Sequence, residues 1–240
     1  MTTDEQRLSV LAQYGIDPSA TTKSPMGTTG PDFNTERMGN FGASEFWKLL
    51  TATMKIAAND TARQYVFEKA FEKATGKRAQ KGFSANATDW GNEWEGSAIA
   101  EYSAQTGNVV DNWGDNQKFL KHPKFDVGCF PDGVLRDKNG VIEAKCPFNG
   151  GIHLQNLVCG NDVEKFAKMR TKYYIQMQVQ IWCSSSDFAH FFSYYPEIEG
   201  ISRGYLIEIP KNDEVIQKIE EAAELAQRER DSILEGLRLG

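Results

Sequence analysis

The stretch Pro131-Asp132-Gly133-Val134-Leu135-Arg136-Asp137-Lys138-Asn139-Gly140-Val141-Ile142-Glu143-Ala144-Lys145 reads as two short strands joined by a tight turn. Asn139-Gly140 is a strong hairpin signal, because tight hairpin turns need left-handed backbone angles that Asn and Gly tolerate. On a strand, residues two apart point to the same face, so Glu143 and Lys145 project together. The hairpin returns the chain so that Asp132 comes beside Glu143 across the ladder. Two converging carboxylates repel unless a cation sits between them, and an all-oxygen ligand set suits Mg²⁺, with Mn²⁺ as a substitute. A lysine beside such a metal can hold an attacking water and offset developing phosphate charge. The pattern therefore predicts a hydrolytic site for phosphodiesters. Pro-Asp-Gly alone is an ordinary turn tripeptide. Glu143-Ala144-Lys145, however, is the only acid-x-Lys triplet in the 240 residues.

Working outward, the chain has an ordinary globular composition, 40% hydrophobic and 25% charged. No apolar run approaches the ~18 residues that a membrane span needs. The opening Met1–Val10 lacks the basic and apolar regions of a secretory signal. Cys129, Cys146, Cys159 and Cys183 contain no C-x-x-C pair, which predicts free thiols in a reducing cytoplasm. A net charge of −6 argues against coating nucleic acid with the whole surface, but leaves room for a local basic groove. The charge is uneven. Arg63, Lys69, Lys73, Lys77, Arg78 and Lys81 fall within 20 residues against only Glu68 and Glu72, whereas Glu208 onward holds nine acids against five bases. The basic run is either a solvated helix face or a phosphate-tracking patch.

Residues 1–35 are read as an N-terminal arm, a short helix at Glu5–Tyr14 followed by an irregular segment rich in Thr, Ser, Gly and Pro. Residues 36–240 are read as one domain. Helical spacing predicts helices over Ser44 to about Ala58, Thr61–Ala74, and Thr88 to about Gln105. Strands are predicted at Asn108–Trp113, Phe125–Phe130, Gly133–Arg136 and Val141–Cys146. A long helix follows over Asp162–Cys183, then strands at Phe188–Tyr195 and Gly204–Ile209. The terminal helix from Asp213 carries an apolar stripe of Val215, Ile219, Ala222, Ala226, Ile233 and Leu237. That order implies an α/β fold with a mixed central sheet flanked by helices.

Four motifs in order resemble the lambda-exonuclease-type and YqaJ-like viral recombinase branch of the PD-(D/E)-x-K nucleases, whose core fold is restriction-endonuclease-like. They are Arg37–Glu45 (RMGNFGASE), Trp90–Glu95 (WGNEWE), Pro131-Asp132-Gly133 with Glu143–Pro147 (EAKCP), and Tyr173–Gln178 (YYIQMQ) with Trp182. Together they span about residues 37–182. The resemblance implies that Asp132, Glu143 and the Ala144 backbone carbonyl hold the metal, with Glu95 reaching it directly or through water. Lys145 would be the catalytic lysine, and Gln176 would support the site, with Gln178 and Gln180 as rivals for that role. Arg37 and Ser44 would bind a terminal 5′-phosphate; Ser44 read alone is equally a helix N-cap.

The activity implied is Mg²⁺-dependent 5′→3′ digestion of linear double-stranded DNA from its ends, leaving 3′ tails for strand annealing. The setting is the cytoplasm of a bacterial host of a phage or prophage, with a single-strand annealing protein as partner. A homotrimeric ring is implied, with the Arg63–Lys81 runs lining its channel. An iron–sulfur nuclease of the same superfamily is excluded, because the last cysteine, Cys183, stands alone rather than in a cluster. An endonuclease and a catalytically dead DNA-end binder are the alternatives. His153, in the loop after the site strand, is placed within reach of DNA, while His122 and His190 are assigned structural or surface roles.

Overall fold

The computed structural model describes residues 9, 12, 35–79 and 86–238. The predicted helix at Glu5–Tyr14, and nearly all of the arm, lie outside them. The chain runs β1 (Phe41–Gly42), a 3-10 helix (Ala43–Leu49), α1 (Asp60–Thr75), α2 (Asn86–Thr106), β2 (Val110–Asp111), a 3-10 turn (Gly114–Asn116), β3 (Leu120–Lys121) and β4 (Val127–Cys129). The hairpin β5 (Gly133–Leu135) and β6 (Gly140–Lys145) follows, then α3 (Gly150–Leu157), α4 (Val163–Met169) and α5 (Thr171–Ser184), then β7 (Phe188–Tyr194), β8 (Gly204–Pro210) and α6 (Asp213–Arg238).

The central sheet has the order β2-β5-β6-β7-β8, and a second sheet the order β1-β4-β3. Strands β5 and β6 pair antiparallel, with Gly133 opposite Ile142 and Val134 opposite Val141. Strands β6 and β7 are parallel, from Gly140↔Phe188 to Lys145↔Ser193, so the three helices between them form the crossover that a parallel pair requires. The strands' alternation splits the core. Val141, Phe191 and Ile207 pack with Met177 and Ile181 of α5. Ile142, Ala144 and Phe192 pack with Ala98, Ile99 and Tyr102 of α2. Glu143 and Lys145, two and four residues past Val141, therefore sit on the α5 face.

Helix ends follow the sequence where capping chemistry is explicit. Asn59 accepts the Ala62 N–H, and Gly76, at φ +63°, closes α1. Three expectations need correction. The helix expected over Ser44–Ala58 is a seven-residue 3-10 helix that ends at Leu49. Beyond it Met54 turns left-handed at φ +56°, Leu50 bridges Ile56, and the Thr51 hydroxyl takes the Lys55 N–H at 3.1 Å. Such local threonine bonds offer the backbone an alternative to the helix ladder. The helix expected over Asp162–Cys183 breaks at Arg170 (φ −128°, ψ 42°) into α4 and α5. Its guanidinium reaches back to Asn156 Oδ1 at 2.6 Å and the Ile152 carbonyl at 3.1 Å, binding the junction to α3. The α6 stripe buries Ile219, Ala222 and Ala226, but Leu237 is exposed.

Candidate active site

Asp132 lies just before β5, and extending the hairpin register puts it opposite Glu143 and puts Pro131 opposite Ala144. Proline has no N–H to offer the Ala144 carbonyl, so the ladder stops there. The Ala144 N–H is donated to the Asp132 carboxylate, at 2.8 Å. The ladder's last rung is thus a side chain, and Asp132 is fixed against the strand that carries Glu143 and Lys145.

Glu143 is almost fully buried, and its oxygens are shared out by donors. The Gln176 amide donates to Oε1 and the Gln180 amide to Oε2, each at 2.5 Å. The Lys145 ammonium contacts Glu143 Oε1 and stands 3.9 Å from Asp132 Oδ2. Gln117 donates to Asp132 Oδ1 at 3.3 Å. Burial, then the neighbouring Glu143 and Glu95 charges, push the Asp132 carboxyl well above its ordinary value, with Lys145 opposing. Glu95 on α2 is raised by burial and by Glu143, against the pull of Lys145. Burial works against the Lys145 charge, but Glu143 and Asp132 outweigh it and hold the ammonium above its usual range. These mutual effects place Asp132, Glu143, Lys145 and Glu95 in one electrostatic site.

Three carboxylates and one ammonium leave the site short of positive charge, and the carboxylates offer hard oxygen atoms. That donor set fits Mg²⁺ or Mn²⁺. Among the described residues no three His, Cys, Asp or Glu side chains form a ready-made metal cage. Lys145 stands among the carboxylates instead.

Of the rival glutamines, Gln178 faces elsewhere. It donates to the Pro210 carbonyl and accepts the Asn212 N–H, fastening β8 to α6. Gln180 is the residue that sequence reasoning left as a rival rather than a partner of Gln176. Their spacing of four, one helical turn, was the available signal.

Arg37 is half-buried, and burial, then Arg78, draw its guanidinium below its ordinary value against Glu45, Tyr65 and Glu72. Ser44 is exposed as the second residue of the 3-10 helix, whose N-cap is Gly42, so the N-cap alternative for Ser44 falls. The Tyr65 hydroxyl accepts the Gly42 N–H at 2.9 Å, which brings the segment carrying Ser44 to the α1 side chain that also neighbours Arg37.

The basic run is partly spoken for. Lys69 is buried against Glu72 at 2.8 Å, Lys73 pairs with Asp126 at 2.7 Å and Arg63 with Asp60 at 3.1 Å. Lys81 lies outside the described residues. His153 is fully buried, bonded to Ser193 Oγ and the Ser202 carbonyl at 2.9 Å each, which removes it from any DNA surface. His122 stacks on Trp182 with ring centroids 3.9 Å apart, and buried His190 meets the Tyr102 hydroxyl at 2.6 Å. All four cysteines are free thiols.

Residues 32–187 match the YqaJ-like viral recombinase domain. The chain belongs to this family. Its fold is that of the PD-(D/E)-x-K nucleases. The YqaJ-like chain is similar in structure to the alkaline exonuclease LHK-Exo from Laribacter hongkongensis, with a TM-score of 0.73 and 25% identity over 87% of this chain and 96% of that one. The likeness to LHK-Exo in complex with dAMP has a TM-score of 0.74 at 26% identity, with the same coverage. A phage-related exonuclease from Haemophilus somnus 129PT shares the fold, at TM-score 0.62 and 21% identity over 82% of this chain and 96% of that one. No curated protein matches the sequence. Family and likeness together make this YqaJ-like protein a nuclease, a hydrolase acting on DNA, of the exonuclease kind. Among the described residues no helix is long and apolar enough to cross a membrane.

Proposed function

We propose that the protein is a Mg²⁺-dependent 5′→3′ exonuclease that digests linear double-stranded DNA from its ends and leaves 3′ single-stranded tails for strand annealing. The observation that carries this is the junction of Asp132, Ala144, Glu143 and Lys145 at the end of the β5–β6 hairpin. Asp132, Glu143, Glu95 and the Ala144 carbonyl would hold the metal. When bound, Mg²⁺ supplies Lewis-acid polarisation and neutralises phosphate charge.

Lys145 orients the attacking water and faces the charge that develops on the phosphate, its ammonium held protonated by the carboxylates around it. Gln176 and Gln180 fix the Glu143 carboxylate so that its remaining lone pairs stay aimed at the site. Arg37, with Ser44, would take the 5′-phosphate through the fork of guanidinium donors.

An acidic chain that stays on DNA needs a clustered contact surface, and a closed homotrimer would concentrate one. Phe67 and Phe71, one turn apart on α1, are 49% and 47% exposed, an apolar face suited to cover by another copy. A single-strand annealing protein would take over the tails. The test is digestion of linear and circular duplex, with 5′-phosphate or 5′-hydroxyl ends, in Mg²⁺ or EDTA. Nucleotide release from linear, 5′-phosphorylated duplex in Mg²⁺ alone supports the proposal, and cleavage of circles supports an endonuclease instead.

A further inference from the structure

A group of aromatic rings stands at the same end of the sheet as the carboxylates. Strands β6 and β7 run parallel with Lys145 opposite Ser193, so the segments just past them emerge side by side. Phe148 follows Lys145 by three residues, and Tyr195 follows Ser193 by two. Trp90 lies on α2 five residues before Glu95, which is between one and two helical turns. Its ring centroid is 5.8 Å from Phe148, with the planes nearly perpendicular at 82°, and 6.2 Å from Tyr195. Trp94 stands behind it at 5.6 Å.

The loop that carries Phe148 is held in place. Asn149 accepts the Gly151 N–H at 2.8 Å to start α3, and a Cβ on Gly150 would stand 3.1 Å from the Tyr195 ring. Phe148 is therefore braced on one side by aromatic rings, yet it remains 56% exposed. An aromatic ring fixed in this way and left open beside a phosphodiester site suits a flat, π-faced partner.

We infer that Phe148, braced by Trp90 and Tyr195, is a stacking platform for the nucleobase of the 5′-terminal nucleotide, whose 3′-side phosphodiester lies at Asp132, Glu143 and Lys145. The platform presupposes the exonuclease reading above and adds to it the part of the substrate that Phe148 holds. A nuclease that digests any sequence needs a base contact that does not read base edges. Stacking supplies one, because every base has a π-face, and it is worth about 5- to 150-fold per base.

The test uses linear duplex whose 5′-terminal nucleotide carries either a normal base or an abasic tetrahydrofuran sugar, digested by the full chain in Mg²⁺. Wild type should release the base-bearing nucleotide about 5- to 150-fold faster. Phe148→Ala should slow only that substrate and so level the two rates, while Phe148→Trp should keep the preference. Titration with dAMP against 2-deoxyribose 5-phosphate, read by tryptophan fluorescence, should show the same preference and the same loss. Equal wild-type rates on the two ends, or a Phe148→Ala variant that slows both alike, overturns the platform and leaves the exonuclease standing. A wild-type protein that releases nucleotides from neither end of either strand overturns the exonuclease reading, and the platform with it.

Discussion

The Asp132 carboxylate accepts the Ala144 N–H at 2.8 Å, just past the last backbone pair of the β5–β6 ladder. One side chain thus completes the sheet and fills the site. Metal binding needs Asp132 ionised, whereas without metal burial and the Glu143 charge favour its protonated form.

Asp132→Asn is expected to abolish hydrolysis and yet to leave the fold at least as stable in EDTA at neutral pH. The amide oxygen can still accept the Ala144 N–H, and one of the converging charges is gone. The sign follows from the raised carboxyl. The native state keeps a proton that the unfolded state gives up near pH ~3.9, so apo wild-type stability falls as pH rises from there toward the raised native value. Thermal melts in EDTA across that window should show the slope in wild type and a shallower one in the variant. A large drop in melting temperature at neutral pH would make Asp132 a structural group.

Gln180→Ala should weaken Mg²⁺ dependence about 10- to 100-fold, since partners that orient a ligand carry effects of that size. Leaving Glu143 Oε2 without its donor should also cost about 1–3 kcal/mol of stability. The double variant with Gln176→Ala should lose less than the sum of the two, because both amides serve one carboxylate. Mg²⁺ titrations of the three variants check this, and strict additivity would separate Gln180 from the site.

Arg230 is fully buried, donating to the Gly39 carbonyl and to Asp126 Oδ2 at 2.8 Å each. Although burial opposes it, hydrogen bonds from Lys121, Lys73 and Arg230 hold the Asp126 carboxyl far below its ordinary value. A depressed acid contributes stability above its unfolded pKa of ~3.9, and that contribution is lost as pH falls toward the native value. Arg230→Met should cost about 1–3 kcal/mol at pH 7, because the Gly39 carbonyl loses its donor while Lys73 and Lys121 still hold Asp126. Asp126→Asn should flatten the acid limb of the stability curve. Denaturant melts between pH 7 and pH 2 measure both, and an unchanged acid limb would contradict the ion-pair account.

The assembly is tested at Phe67 and Phe71. Light scattering at micromolar concentration should give three chain masses for wild type and a single one for the double variant Phe67→Glu, Phe71→Glu. A wild-type monomer that digests long tracts would refute the ring.

What the sequence made legible was local. The hairpin formed where it was expected, though its left-handed residue is Asp137 at φ +62° rather than Asn139 or Gly140; Gly76 closed α1, and the single acid-x-Lys triplet marked the strand that holds the site. What it hid depends on distant partners. The break at Arg170 comes from a guanidinium reaching into α3, and nothing in the helical periodicity of residues 162–183 announces it. His153 looked like a loop residue because α3 was not foreseen, and it is buried against Ser193 of a strand forty residues later. The basic run looked free for phosphate because Asp126, the partner of Lys73, lies 53 positions away. Gln180 was within reach of inference, as a turn-spaced companion of Gln176, once Glu143 was known to need two donors.

The most direct measurement follows each strand of a linear duplex by separate 5′ and 3′ labels, in Mg²⁺, with wild type and with Lys145→Ala. Wild type should shorten each strand from its 5′ end only, and Lys145→Ala should do so at least about 100-fold more slowly while binding the DNA end with similar affinity. Near wild-type turnover by Lys145→Ala, or shortening from the 3′ end, would contradict the site and polarity assigned to Asp132, Glu143 and Lys145.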